Sequence, residues 1–237
     1  MSIGRHIYCK KCGFNNQLSK LNCEKCSAIL RDKVPNIDFL KVVGLLIESP
    51  NSGFRIIINA DHKNYMSVLC FIFAIKMLLV YFSLGFFFNV PIPPIHLSSL
   101  IFIALTIFSF LIISFLIKFS FKLIGIRNGI RDYLATIAYS TYPIVFSLVL
   151  LSILELSVFG GFLFNHSPNI FDIKPFFAYF FIVLETLLFL WSFANLIIGI
   201  NYFLKNIILS IFIGVIIYIV IIFLPIIIFL NLLPFLL

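Results

Sequence analysis

The amino-acid sequence predicts an all-α polytopic membrane protein: five transmembrane helices preceded by a small cysteine knuckle. Three observations predict it. The 237 residues are 62% hydrophobic and only 11% charged, where soluble domains are about 45–50% apolar and about 25% charged. A core of this size cannot hide the excess, so lipid is the solvent for most of it. From residue 67 onward there are five apolar runs, each long enough to cross a bilayer. Ahead of them stand two cysteine pairs, Cys9-x-x-Cys12 and Cys23-x-x-Cys26.

The knuckle occupies residues 1–30. Two residues between cysteines let one tight turn aim both sulfurs at a single ion, and two such turns complete a tetrahedral sulfur site, which suits zinc. Gly13 follows the first pair and can take the positive φ such a turn needs; Ser27 holds that place after the second. The segment is too small for a hydrophobic core, so metal binding is expected to supply most of its folding energy. Disulfides are the competing use of the four thiols, and a reducing cytosol argues against them. His6 lies nearby, but four sulfurs already complete the ligand set. Cys70 is expected to be a small apolar packing residue in the first span.

Residues 31–36 read as a linker and 37–66 as juxtamembrane amphipathic helices. Phe39, Leu40, Val43, Leu46 and Ile47 share one face of the first, opposite Asp38, Lys41 and Glu48. That helix is too short to span and belongs at the membrane surface or under the bundle. Ser49-Pro50 then resembles an N-cap followed by proline at the first helical position, opening a second helix that ends near Asn59.

The five-helix transmembrane domain takes 67–237, with spans at about 67–90, 98–117, 135–160, 176–200 and 207–233. The prolines of 91–94 make the first loop stiff and the first two spans a tight hairpin. Pro225 lies near the far end of the last span, where a kink is tolerable.

Charge sets the orientation and limits the partners. The net charge is +8, and residues 1–66 hold ten of the seventeen Lys/Arg and five of the nine Asp/Glu. Four thiolates on one zinc add about −2, which leaves the front segment mildly basic. No nucleic acid is expected; attraction to an anionic membrane surface fits better. Residues 1–30 are polar and carry no signal-peptide core. The 118–134 loop holds Lys118, Lys122, Arg127 and Arg131, whereas 91–97 and the tail hold no Lys or Arg. The N-terminus and the 118–134 loop are therefore expected in the cytoplasm and the C-terminus outside.

Lys76, Glu155 and Glu185 fall inside spans. Intramembrane charges mark function or pairing. At ~1.5 Å per residue, Lys76 and Glu185 both reach the midplane of a ~30 Å core, so they are expected to meet between the first and fourth spans. Glu155 lies nearer the outer face. A neutralised pair is the simpler reading; a proton or cation pathway is the other.

Two stretches resemble the Yip1 domain family. LLIESPNSGFRIII, residues 45–58, is similar to its membrane-proximal segment, and IRDYLATIAYSTYPIVF, residues 130–146, to its third-span signature, where Ala138-Tyr139-Ser140 precedes Pro143. The similarity covers about residues 40–235, and the prefixed zinc ribbon looks like an arrangement of prokaryotic members. The resemblance implies a polytopic protein without enzymatic chemistry. The Asp-Leu-Tyr-Gly-Pro stretch of eukaryotic members is absent, so binding of small GTPases is not carried over.

No nucleotide-binding glycine loop, H-E-x-x-H or G-x-S-x-G occurs, and no internal repeat is evident. The expected function is a non-enzymatic membrane scaffold or adaptor that holds a cytosolic or membrane protein partner through its ribbon. The alternative is a small transporter or channel that uses Lys76, Glu155 and Glu185.

Overall fold

The structure is a computed structural model, and it describes residues 6–17, 23–28, 30, 34–87, 95–164 and 167–236. Two short strands, β1 (His6–Tyr8) and β2 (Asn15–Gln17), form an antiparallel ribbon around the first cysteine turn. Strand β3 (Val34–Asn36) precedes α1 (Phe39–Glu48) and α2 (Pro50–Asn59), and pairs in parallel with β4 (Ala60–His62). Half of the expected linker is thus a strand that closes a loop around the two short helices.

Asp38 caps α1, its side chain accepting from the Lys41 N–H at 3.3 Å. Pro50 opens α2 at a position whose N–H would be unpaired in any case. Ser49 sits at the cap as expected, but its side chain makes no capping hydrogen bond. The buried face of α1 is rotated from the expected stripe: it takes in Val42, which the stripe left out, and leaves out Leu40 and Ile47. Val42 and Leu46 are buried, and Phe39 and Val43 lie against the core. Leu40 is 80% exposed and Ile47 54% exposed. Residues 40 and 47 lie seven apart on the edge of the stripe, beyond the reach of the bundle.

The membrane part follows. The long helices are α3 (Met66–Phe87), α4 (Ile95–Leu123), α5 (Ile130–Ser140) with α6 (Tyr142–Phe159), α8 (Pro175–Leu204) and α9 (Ile207–Leu236). Five segments are long and apolar enough to cross a membrane, α5 and α6 together forming the third. The third is broken at Thr141, because Pro143 lacks an N–H and its ring opposes the carbonyl four residues earlier. Helix α4 continues past its apolar run to Leu123, so Lys118 and Lys122 sit on helix rather than in a loop. Helix α9 passes through Pro225 unbroken. The proline segment at 91–94 lies outside the described residues.

Helix α3 packs on α4, α5 and α6, while α9 packs on α4 and α8. Aromatic trios stitch the layers: Tyr81, Phe102 and Phe229 join α3, α4 and α9 with centroids 5.2–5.6 Å apart. Phe121, Tyr133 and Phe203 do the same for α4, α5 and α8 at 5.0–6.3 Å. Such ring pairs add about 0.5–1.5 kcal/mol beyond area burial. Many large apolar side chains on the outer faces stay exposed, among them Phe108, Phe115, Leu150, Phe180, Leu190, Phe212 and Ile219, as lipid contact requires.

Helices α1 and α2 share the core of the bundle. Their seat is a close approach of three elements. A Cβ on Gly199 of α8 would lie 2.6 Å from Thr136 Cγ2 on α5 and 2.9 Å from Phe54 on α2, so only glycine lets α2 dock there. An ion pair locks the same end: Lys63 Nζ lies 3.1 Å from Asp132 Oδ1. Lys63 also donates to the carbonyls of Ile57 and Ile58, which terminate α2, and Asp132 accepts from the Gly129 N–H that opens α5 at 3.0 Å. The Tyr139 hydroxyl donates to the Asn64 carbonyl. At the other end a 3-10 turn (Gly160–Phe164) and the short α7 (Ile170–Ile173) fold over a satellite core of Phe159, Ala178 and Phe181.

Candidate functional site

The two cysteine turns are built alike. In the first, the Gly13 N–H bonds the Cys9 carbonyl at 2.8 Å and the Cys9 N–H bonds the Phe14 carbonyl at 3.0 Å. In the second, Ser27 and Cys23 repeat this at 2.9 Å, with Cys23 bonding Ala28 at 2.8 Å. Gly13 has φ +68° and Ser27 φ +54°, so the serine accepts a left-handed conformation at a modest cost of ~1–2 kcal/mol.

These turns bring Cys9, Cys12, Cys23 and Cys26 together, with all four Sγ atoms within 4.8 Å of one another. Cys9 meets Cys26, and Cys12 meets Cys23, at 3.5 Å each. All four thiols are free of disulfides. A metal–sulfur tetrahedron with bonds of ~2.3 Å has edges of about 3.8 Å, so the cluster needs only a small adjustment to close around one ion. The donor set therefore fits a metal ion.

The surroundings already treat part of the cluster as thiolate. The Lys11 N–H, followed by that of Cys12, holds the Cys9 thiol below its usual range despite burial. Burial pushes Cys23 up, but the N–H groups of Cys26 and Lys25, the Asn16 side chain and Cys12 together bring it down to about 6. Cys12 goes the other way: the Phe14 N–H lowers it, yet burial and its bonds to Cys26, Cys23 and Cys9 push it up to about 12.

Asn16 is the residue the spacing did not reveal. It is buried on β2, donates to the Phe14 carbonyl at 2.9 Å and to Cys23 Sγ at 3.4 Å, and accepts from the Glu24 N–H at 2.9 Å. One amide thus ties the first turn to the second and supports a ligand sulfur. An asparagine between two cysteine pairs is the only sequence signal for it. His6 lies on β1.

The second constellation lies within the bundle. Lys76 Nζ donates to Glu185 Oε1 at 2.6 Å and to Ser152 Oγ at 2.9 Å, joining α3, α8 and α6. The lysine side chain is 4% exposed and the glutamate 17%. Glu185 Oε2 is buried and has no hydrogen-bond partner among the described residues. Glu155, one turn beyond Ser152 on α6, shares with these groups a cavity of about 530 Å³. Leu79, Val80 and Phe189 wall it, and Phe162 and Phe171 approach from the 160–173 segment. The structure therefore brings Lys76 and Glu185 into direct contact and places Glu155 at the same cavity, where it has no ion-pair partner among the described residues. Cys70 is a buried core residue with a free thiol.

Fold and sites together define an integral membrane protein with a four-cysteine cluster ahead of its spans. No family model, curated protein or solved structure matches the chain.

Proposed function

We propose that the chain is a non-enzymatic membrane scaffold whose cytosolic end is its working surface, with a one-zinc ribbon as the element that grips a protein partner. The observation that carries this reading is where polar chemistry is gathered. Helices α1 and α2, the Lys63–Asp132 pair and the basic end of α4 all lie at the end of the bundle where α2 docks on α5 and α8. The Lys/Arg asymmetry of the loops supports a cytosolic position for that end and an outside position for the C-terminus. Zinc suits a reduced compartment and four sulfur ligands, which leave no open position for catalysis. The resemblance of residues 45–58 and 130–146 to the Yip1 domain family supports the same non-enzymatic role.

Crosslinking from native membranes tests the reading, with wild type compared against Cys9→Ser/Cys12→Ser. A partner recovered only with the intact ribbon supports it. Identical recovery from both chains overturns the ribbon's role.

One observation favours a second reading, a small transporter: the cavity that holds Lys76, Glu155 and Glu185. The direct Lys76–Glu185 contact weighs toward the scaffold, since a neutralised pair stabilises a bundle and conducts nothing. Substrate-dependent flux in liposomes, abolished by Glu185→Ala in a folded protein, would reverse that order.

A further inference from the structure

Asn51 and Arg55 lie four residues apart on α2, and Asn201 and Lys205 lie four apart at the end of α8. Residues at that spacing within a helix share a face, so α2 presents Asn51 beside Arg55, and the pocket they line also takes Asn201 and Lys205, the residue that caps α8. The two helices meet because Phe54 seats against Gly199, one residue from Arg55 and two from Asn201. Together with Tyr202 these four side chains line a pocket of about 460 Å³.

The pocket is cationic. Among the described residues no acidic side chain lines it, and neither Arg55 nor Lys205 has an ion-pair partner. Lys205 is the C-cap of α8, held in a left-handed conformation at φ +51° with its N–H on the Asn201 carbonyl at 2.8 Å. Asn201 Oδ1 accepts from Ser210 Oγ at 3.5 Å, which leaves its amide N–H groups as donors. A guanidinium, an ammonium and two amides are the donors that a phosphate takes: the planar fork binds two oxygens at once, and the ammonium serves as a point charge.

Position selects the kind of phosphate. The pocket lies where α8 leaves its apolar run and directly before α9 starts at Ile207, which is headgroup level for a chain that spans a bilayer. Basic pockets at that level attract anionic lipids. Apart from the phosphate donors the pocket offers only Tyr202, a residue type at home in the interface, so it has little with which to recognise the rest of a soluble metabolite.

We propose that this pocket binds the phosphate of an anionic phospholipid, with Arg55 and Lys205 holding the phosphate oxygens and Asn51 and Asn201 donating to them. The inference needs the membrane assignment and not the scaffold role or the zinc. The full chain, purified in detergent, is titrated with phosphatidylglycerol and with phosphatidylcholine of the same acyl chains, and bound lipid is counted by native mass spectrometry. Retention of phosphatidylglycerol over phosphatidylcholine is expected on the wild type. Arg55→Gln and Lys205→Gln are each expected to weaken it by about tenfold, and Lys205→Arg to restore it. Lys122→Gln/Arg127→Gln, which removes twice the charge of either pocket variant elsewhere at this end, is expected to change it less than twofold.

Equal retention of the two lipids on the wild type overturns the proposal without any variant. So does phosphatidylglycerol retention that ignores both pocket substitutions, or that falls equally with the Lys122/Arg127 variant. Inorganic phosphate is the second arm: displacement of the lipid at matched concentration overturns the lipid assignment in favour of a soluble phosphate. Unfolding midpoints within a few degrees of wild type establish that Arg55→Gln and Lys205→Gln are folded.

Discussion

Lys76 Nζ on α3 lies 2.6 Å from Glu185 Oε1 on α8, deep in the bundle and with Ser152 of α6 as the lysine's second partner. A single contact thus joins three spans. Taking charges out of water is expensive, and a buried pair repays this mainly by mutual attraction. Removing one partner leaves the other uncompensated. Lys76→Met and Glu185→Gln are each expected to destabilise by about 3–5 kcal/mol, and the double variant by less than either alone. Thermal unfolding in detergent checks this. Additive losses would show that the two groups act independently.

A second prediction concerns the seat of α2. A Cβ at Gly199 would meet Thr136 Cγ2 at 2.6 Å and Phe54 at 2.9 Å, both too close for a Cβ contact, so the packing of α2, α5 and α8 must shift to admit it. Gly199→Val is expected to lose about 1–3 kcal/mol or more through overpacking, and to raise protease sensitivity of residues 37–62 before the spans unfold. Gly44 in α1 is the matched control, since a Cβ there meets nothing within 4 Å. Gly44→Ala is expected to be neutral or to stabilise by about 0.5–1 kcal/mol, as alanine is the better helix former. Loss of stability in both variants would point to a general intolerance of these short helices.

How far these features could be read in advance depends on their physical range. The five spans are legible because hydropathy over about twenty residues does not depend on what packs against it. Depth along a helix is likewise local, so Lys76 and Glu185 could be set at one level by counting, and their side chains meet there. Lys63–Asp132 had no such ruler, because one partner lies in a turn and the other at a helix start. The β3–β4 pairing of three residues each has too little pattern to announce itself. The exposure of Leu40 and Ile47 shows the same limit on α1: periodicity marks an apolar stripe but not how much of it a neighbour covers. At the cysteines, spacing predicts the sulfur cluster, while the part played by Asn16 depends on how the two turns are set against each other.

Asn16 supplies the third prediction. It supports Cys23 Sγ and links both turns through three hydrogen bonds. Asn16→Ala is expected to leave all four ligands in place but to weaken metal affinity about 10–100-fold, the usual effect of removing a ligand's support. Competition with a chromogenic chelator measures it. Cys9→Ser, which removes a ligand outright, is expected to lose more; equal losses would place Asn16 outside the metal's influence.

The metal-free ribbon carries a pH signature. Cys23 is held at about 6 against an ordinary value of 9.0, so its thiolate contribution is complete above pH 9 and is lost as pH falls toward 6. Cys12 is raised to about 12 from the same reference, so its contribution is complete below pH 9 and is lost as pH rises toward 12. Chelated protein is therefore expected to hold its ribbon best near pH 9, with order declining on both sides, followed by amide exchange at residues 9–16. Zinc needs all four thiolates and should flatten the alkaline side while releasing protons on binding. A ribbon that steadily gains order from pH 6 to 12 without metal would contradict the raised Cys12.

Topology is the prediction on which the proposed working surface turns. Lys118 and Lys122 lie on the last turns of the second apolar helix, Arg127 in the connection that follows and Arg131 in the first turn of the third, while Lys174 alone lies between the third and fourth. Positive charge close to a span resists translocation, so the end of α4 and the start of α5 are expected in the cytosol together with α1 and α2. With five crossings, the end of α9 then lies on the opposite side. Reporters inserted at Arg127 and fused after Leu237 are expected to report opposite compartments, with the Arg127 reporter cytosolic. Moving the charge tests its cause: Lys122→Gln/Arg127→Gln/Arg131→Gln should yield a mixed orientation if the 118–134 segment dominates, and leave it intact if the ten Lys/Arg of residues 1–66 suffice. Either result keeps the cytosolic assignment of α1 and α2. An Arg127 reporter found outside would place the ribbon outside with it, in an oxidising compartment where four free thiols do not persist, and would remove the basis for both the zinc and the scaffold.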